Sequence, residues 1–274
     1  MADPPGPGPV ARAVFGGRMA TAARYLQDLA STGVEHGVIG PREVPRLWDR
    51  HLVNSAVVAV LIPRGSKVCD VGSGAGLPGV AIAIARPDLR VTVVEPLARR
   101  TAYLNRLIAE LGLSSVDVVR GRVDGRGPVV IDANGGEHVV AAFDVVTARA
   151  VAGLDRLLPW LLPLARTGGT VLALKGRTAE AELAAVEPFL QRRGATGQLV
   201  ELGGAEVSGR SGEGGAPTAG AEPTRDADVV RVVRVDVGSA DNNVGGLDRH
   251  ARHRGDAGSR GTARNRTTGQ KGRA

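Results

Sequence analysis

The sequence predicts an α/β protein built on a doubly wound, mostly parallel sheet. Three observations carry that prediction. Apolar runs of strand length alternate with stretches of 10–16 residues whose apolar positions recur at helical spacing, the pattern of βαβ units. The first of these runs opens directly into a glycine cluster, Val68-Cys69-Asp70-Val71-Gly72-Ser73-Gly74-Ala75-Gly76-Leu77-Pro78-Gly79, and then into an apolar helical run over 80–85. The last two strand-like runs, 198–202 and 229–237, have no helix between them, which predicts an antiparallel hairpin at the edge of the sheet.

Along the chain, residues 1–14 are rich in Pro and Gly and are expected to be disordered. Residues 15–62 read as an N-terminal helical cap. Met19, Ala22, Ala23, Leu26, Leu29 and Ala30 recur at helical spacing, a break follows at Ser31-Thr32-Gly33, and a second helix starts at Pro41 and continues through Trp48 to Ala56. The main domain spans 63–237 and opens with the turn Pro63-Arg64-Gly65-Ser66. Its second strand, 91–95, ends in Glu95. A helix over 96–111 follows, with Tyr103, Leu104, Leu107, Ile108 and Leu111 on one face and Gly112 closing it. Next come a strand over 116–120 running to Val123 and Asp124, a Gly-rich stretch over 125–140 with a short extra hairpin, and a strand over 143–147. A helix over 154–165, a strand over 169–174 and a helix over 178–193 kinked at Pro188 complete the alternation. The insert 203–228 is of low complexity and is expected to be flexible. The arginines of 229–237 are expected to meet solvent.

The net charge of +7 is unevenly spread. Residues 241–274 hold eight Arg and Lys against three Asp and almost no apolar residues, so 238–274 is expected to be a disordered basic tail, either a solvated appendage or an arm reaching for phosphates. No run of about 18 apolar residues is present, so no membrane-spanning helix is expected. The N-terminus lacks the basic start and apolar centre of a signal peptide. The single cysteine, Cys69, excludes internal disulfides and suits a reducing compartment. A cytoplasmic location and a monomer are expected.

In a sheet of this kind the ligand lies outside the carboxyl ends of the strands, beside the first one. Those ends carry Asp70 to Gly76, Glu95, Val123-Asp124, Arg149 and Lys175. Two glycine registers fit. Gly72-x-Gly74-x-Gly76 suits a loop around S-adenosylmethionine, with Asp70 at the strand end. Gly74-x-Gly76-x-x-Gly79 is the dinucleotide spacing. Glu95 lies 19 residues past Gly76, where the ribose of either cofactor needs an acceptor. Pro78 favours the first register: there it opens the helix, where proline is tolerated, whereas in the second it falls inside the loop.

The set Arg50-His51-x-x-Asn54-Ser55, Asp70 to Gly79, Arg122-Val123-Asp124, Ala148-Arg149-Ala150 and Leu174-Lys175-Gly176 resembles the RsmG (GidB) family of bacterial 16S ribosomal RNA guanine-N7 methyltransferases, over about residues 20–195. The resemblance implies a class I, Rossmann-like, seven-stranded sheet with an antiparallel last strand. It also implies S-adenosylmethionine as donor without a metal, the small ribosomal subunit as partner, and cofactor contacts at Gly72, Leu77, Val123, Asp124 and Arg149. Three departures stand out. Asn54 replaces the family's usual aspartate, the Trp-Asn…Asn-Leu-Thr motif before Arg50 is missing, and the sequence past about 238 lies outside the pattern.

The residues carry roles of their own. Gly72, Gly74 and Gly76 let backbone close on the methionine end of the donor, Asp70 fixes the loop or the donor's amino group, and Glu95 accepts from the ribose hydroxyls. Val123 and Asp124 flank the adenine. Arg149 sits where donor and acceptor meet, binding the donor carboxylate or a guanine or phosphate oxygen. Arg50 and His51 lie over the cleft on the acceptor side, with no proton-transfer role for His51, and Lys175 and Arg50 are candidate RNA contacts. The acceptor is narrowed by what is missing. Thr147-Ala148-Arg149-Ala150 stands where an amine methyltransferase carries Asn-Pro-Pro-Tyr, the only cysteine lies in the first strand, and an arginine occupies the aspartate position of a ribose-hydroxyl enzyme. A ring nitrogen such as guanine N7 has no proton to lose and needs no general base. Rival readings are a small-molecule methyltransferase, which shares every cofactor residue, and a nicotinamide-dependent oxidoreductase, which uses the other glycine register. A non-enzymatic RNA-binding module fits least, since aromatics make up 3% of residues and offer no stacking platform.

Overall fold

A computed structural model of the chain describes residues 6–123, 125, 129–132, 137–139, 142–203 and 229–238, all within one compact unit. Nine strands form one sheet: β1 (Lys67–Val71), β2 (Arg90–Glu95), β3 (Val116–Val123), β4 (Val129–Asp132), β5 (Glu137–Val139), β6 (Phe143–Arg149), β7 (Ala165–Lys175), β8 (Ala195–Leu202) and β9 (Val230–Val237), in the order β5-β4-β3-β2-β1-β6-β7-β9-β8. Seven of them, β3-β2-β1-β6-β7-β9-β8, make the expected mostly parallel sheet of a class I, Rossmann-like methyltransferase. β9 runs antiparallel to both of its neighbours. It inserts between β7 and β8, so the last hairpin contributes one inner strand and one edge. The two additional strands are the short hairpin expected within 125–140, antiparallel to the end of β3.

The sheet is apolar on both faces because consecutive strand residues point to opposite sides. Val68, Val93, Val145, Leu172 and Val232 pack in one cluster with the N-terminal helices, α4 (Gly79–Ala85) and α5 (Ala98–Leu111). Their neighbours Cys69, Val94, Val146, Val171 and Val233 pack in the other, with α6 (Leu154–Leu161) and α7 (Ala179–Arg192). At about 1.5–3 kcal/mol for each fully buried aliphatic side chain, these two layers supply the driving force for folding. α5 ends where Gly112 takes a left-handed conformation, φ 67°, as its position predicts.

Three expectations are corrected. Residues 1–14 are not wholly disordered: α1 (Pro9–Phe15) starts with a proline in its first turn, where no backbone N–H is needed, and buries Ala11 and Phe15. The cap is a broken chain rather than two plain helices. α2 (Met19–Asp28) passes into a wide π turn at Leu29–Gly33, and a 3₁₀ turn at Pro41–Arg46 leads into a second π turn at Leu47–Val53 and then α3 (Asn54–Ala56). The arginines of β9 are half-buried and paired, Arg231 with Glu201 at 2.8 Å and Arg234 with Asp236 at 2.9 Å, because β9 is an inner strand. Residues 204–228, the tail beyond 238 and Asp124 lie outside the described residues. No helix among the described residues is long and apolar enough to cross a membrane.

Candidate active site

The carboxyl ends of β1, β2 and β6 meet at the glycine loop. The loop hangs from β2 through backbone bonds, Gly72 N and Ser73 N donating to Val94 O at 2.9 and 3.2 Å. It then closes on itself, Gly76 N and Leu77 N donating to Ser73 O at 2.8 and 3.0 Å. Gly72, Gly74 and Gly76 take φ of 74°, 59° and 102°. At Gly76 two constraints coincide. That φ suits glycine, and a Cβ there would stand 2.8 Å from both the Tyr25 hydroxyl and Val80 Cγ2. Gly79 opens α4 one residue after Pro78, which occupies the N-cap rather than the first helical position. A Cβ on Gly79 would stand 2.7 Å from Asp70 Oδ2 and 2.8 Å from Val93, so the missing side chain lets α4 lie against β1 and β2.

Two carboxylates brace the loop. Asp70 is fully buried, and its Oδ2 accepts from Ser73 Oγ at 2.6 Å and Gly79 N at 2.9 Å. Its Oδ1 is buried with no hydrogen-bond partner. Burial pushes the Asp70 carboxyl up to about 6, against the opposing pull of the Ser73 and Gly79 bonds and of the Arg149 charge. Glu95 is 2% exposed; Oε2 accepts from Gly74 N at 2.9 Å and Oε1 from Leu97 N at 3.0 Å. Leu97 and Val151, the two exposed large apolar residues among those described, follow β2 and β6, the neighbours of β1 on either side. Val151 lies over Gly72, 2.8 Å from where a Cβ would be.

Arg149, at the end of β6, is tied to the cap. Nη1 donates to His51 O at 3.1 Å and Ser55 Oγ at 2.6 Å, while Nη2 donates to Arg50 O at 3.2 Å and meets His51 Nδ1 at 3.3 Å. The acceptors lie on the second π turn and α3, and such widened turns are common at functional sites because they reposition backbone carbonyls. Burial lowers the affinity of Arg149 for its proton, and the guanidinium remains a cation. The next residue, Ala150, is the one non-glycine residue among those described with positive φ, 53°, a strained turn that delivers Val151 to Gly72.

The structure brings Asp70, Gly72, Gly74, Gly76, Leu77, Glu95, Arg50, His51 and Arg149 into this one region. Val123 is buried at the end of β3. Lys175 is the correction. Its ammonium pairs with Glu182 at 2.7 Å and donates to Ala152 O at 2.9 Å, so it is held inside the protein rather than presented to a phosphate. Asn54 starts α3 half-buried, and its neighbour Ser55 makes the contact with Arg149. Sequence reasoning missed Tyr25, whose buried hydroxyl donates to Ala75 O at 2.9 Å, and it missed Glu43, which reaches His51. Tyr25 fits the helical spacing of Ala22, Leu26 and Leu29, but nothing in that spacing tells where a hydroxyl ends up.

Comparison with known proteins decides the family. The profile described as rRNA small subunit methyltransferase G matches residues 18–205, more than half of the chain. The chain belongs to this family. A family member from Nocardioides sp. (strain ATCC BAA-499 / JS614), named ribosomal RNA small subunit methyltransferase G, is 45% identical over 265 residues, 94% of this chain and 93% of its own. One of the same name from Thermobifida fusca (strain YX) is 50% identical over 202 residues, 73% of this chain and 81% of its own. Among solved structures, the O-methyltransferase TomG from Streptomyces achromogenes in complex with SAM aligns with a TM-score of 0.46 at 15% identity, over 80% of this chain and 90% of that one. Like the rest of the family, the chain is an S-adenosylmethionine-dependent methyltransferase. The site fits that donor on its own terms: a loop of left-handed glycines in which a Cβ on Gly72 or Gly76 would clash, and one buried carboxylate oxygen still lacking a proton donor. No group of three or more metal-ligating side chains occurs among the described residues.

Proposed function

We propose that this protein transfers a methyl group to N7 of a guanine in 16S ribosomal RNA of the small ribosomal subunit. Bound S-adenosylmethionine supplies an electrophilic methyl group on a sulfonium, ready for in-line displacement. The glycine loop and Asp70 would hold the methionine end of the donor, the unpartnered Oδ1 of Asp70 serving its ammonium. Glu95, while bracing Gly74, receives the ribose hydroxyls, and Val123 and Asp124 flank the adenine. Leu97 and Val151 shield the nucleoside from water, and Arg149 marks the side from which the acceptor approaches, beneath Arg50. The chief catalytic effect is alignment of two reactants, worth up to ~7–11 kcal/mol when complete.

One observation carries the choice of N7: the candidate bases beside the loop are engaged elsewhere, save Oδ1 of Asp70, which this reading gives to the donor. Asp70 accepts from Ser73 and Gly79, Glu95 from Gly74 and Leu97, and the His51 ring lies between Glu43 and Arg149. Lys175 is paired with Glu182, and burial drives the Cys69 thiol far above its ordinary range, where it is no nucleophile. A site with no base left for the acceptor suits one whose lone pair is already exposed and which loses no proton. The test uses small subunits from a strain lacking this gene, incubated with the purified protein and labelled donor, followed by borohydride/aniline cleavage and primer extension. The reading requires one new cleavage in 16S RNA; label in RNA without cleavage rejects N7, and label only in metabolites rejects RNA.

A further inference from the structure

The side chains around Arg149 form a chain with a defined direction. Glu43 lies on the 3₁₀ turn at Pro41–Arg46, and its Oε2 stands 2.6 Å from His51 Nε2. The bond to His51 holds the Glu43 carboxyl below its usual range, so it is a carboxylate and only accepts. Nε2 therefore carries the hydrogen. On the other side of the ring, His51 Nδ1 faces Arg149 Nη2, and a guanidinium only donates. Nδ1 must then present a lone pair. Both contacts demand the same neutral tautomer, with the proton on Nε2, and an imidazolium would set N–H against N–H at Arg149. The charged groups that act on the ring are Glu43, Arg50 from its own turn and Arg149 from β6. Burial and the two arginines hold His51 towards its neutral form, against the pull of Glu43.

The hydrogen count at Arg149 completes the chain. A guanidinium has five N–H groups in a rigid fork. Four contacts, with His51 O, Ser55 Oγ, Arg50 O and His51 Nδ1, match the four hydrogens on its two terminal nitrogens. Nε–H has no acceptor among the described residues, and it belongs to the part of the guanidinium nearest the end of β6.

We propose that Glu43 is a positioning residue: by fixing the His51 tautomer, and together with Ser55, it immobilises Arg149 so that a single N–H and one positive charge are offered at the junction of donor and acceptor. Glu43 and Ser55 touch neither reactant. The inference rests on the methyltransferase reading only for where Arg149 points its free donor; the tautomer is a property of the protein alone.

The test combines a substrate-free measurement with a kinetic one on the full chain. Nitrogen-15 NMR of labelled histidines, with His51 assigned through H51Q, reports the protonation of each ring nitrogen. Wild type shows Nε2–H with bare Nδ1. E43Q keeps an acceptor for Nε2–H and keeps the tautomer, while its His51 titrates at lower pH because the carboxylate that favours the imidazolium is gone. E43A loses the tautomer preference. In methyl transfer to small subunits, E43A loses about 10- to 100-fold in kcat with KM for RNA within about twofold, and E43Q restores most of it. Wild-type His51 protonated on Nδ1 overturns the proposal, as does E43Q slowed as much as E43A. If E43A does not fold, the E43Q titration decides: an unmoved His51 overturns it. Absence of RNA methylation by wild type, with the tautomer as stated, rejects the assigned substrate and leaves the positioning chain standing.

Discussion

The glycine loop and the Arg149 clamp lie side by side, yet they are held by opposite means. The loop is made by its own backbone: left-handed glycines, bonds to Val94 O and Ser73 O, and carboxylates at the ends of β1 and β2. The clamp joins residues separated by 94–99 positions, through acceptors on a π turn that no local rule announces. Apart from the Tyr25 hydroxyl, which reaches Ala75 O from the cap, the loop's bonds come from the residues between β1 and the end of β2, whereas the clamp forms only when the cap docks on the sheet. The loop should therefore fail through sterics, and the clamp through loss of alignment with the fold retained.

Gly76→Ala is the severest test of the loop. The added methyl meets Tyr25 and Val80 at a φ that disfavours it, so we expect a loss of about 2–4 kcal/mol by urea denaturation and no measurable S-adenosylhomocysteine binding by calorimetry. Arg149→Lys tests the clamp. The charge stays, but three rotatable donors cannot reproduce a four-bond fork, so kcat should fall about 100-fold while S-adenosylhomocysteine still binds. Equal loss of binding in both variants would erase the distinction between the two regions.

Glu95→Gln sharpens the loop's side of the comparison, since a neutral carboxamide has one acceptor oxygen and leaves either Gly74 N–H or Leu97 N–H facing an NH2 group. Donor affinity should drop about 10- to 100-fold. Acidity acts through Asp70, whose carboxyl is raised to about 6. Because its folded value lies above the unfolded one, the stability linked to it is full below about pH 4 and is lost as pH rises through about 6. Binding of a cationic donor needs the charged form, so affinity should fall about fivefold from pH 6 to pH 5 in calorimetric titrations, and Asp70→Asn should flatten that dependence. The smallest effect belongs to Lys175→Ala. It breaks a partly exposed ion pair and one carbonyl bond, costing about 1 kcal/mol of stability with RNA affinity unchanged in filter binding; a clear loss of affinity would return Lys175 to the RNA surface.

The same contrast explains what could be read in advance. Alternating apolar runs predicted the sheet, and Gly72 to Gly79, Asp70 and Glu95 predicted the loop, because each is set by neighbours in sequence or by the next parallel strand. Arg149 and His51 were recognisable as site residues, but not as each other's partners. Their contact depends on a π turn, and Glu43 enters only through that turn. Lys175 misled for a related reason: a lysine at a strand end looks free until Glu182 of the following helix turns out to lie 2.7 Å away. The Pro-rich start read as disordered, yet Pro9 begins a helix, since tertiary burial of Ala11 and Phe15 outweighs local preference.

A crystal structure with S-adenosylhomocysteine bound would test the central claim most directly. We predict the ligand's ammonium at Asp70 Oδ1 and its ribose at Glu95, with the four clamp bonds of Arg149 intact and Nε–H turned to the site. A ligand seated away from residues 70–79, or bound only after Arg149 has left His51 and Ser55, would contradict the account.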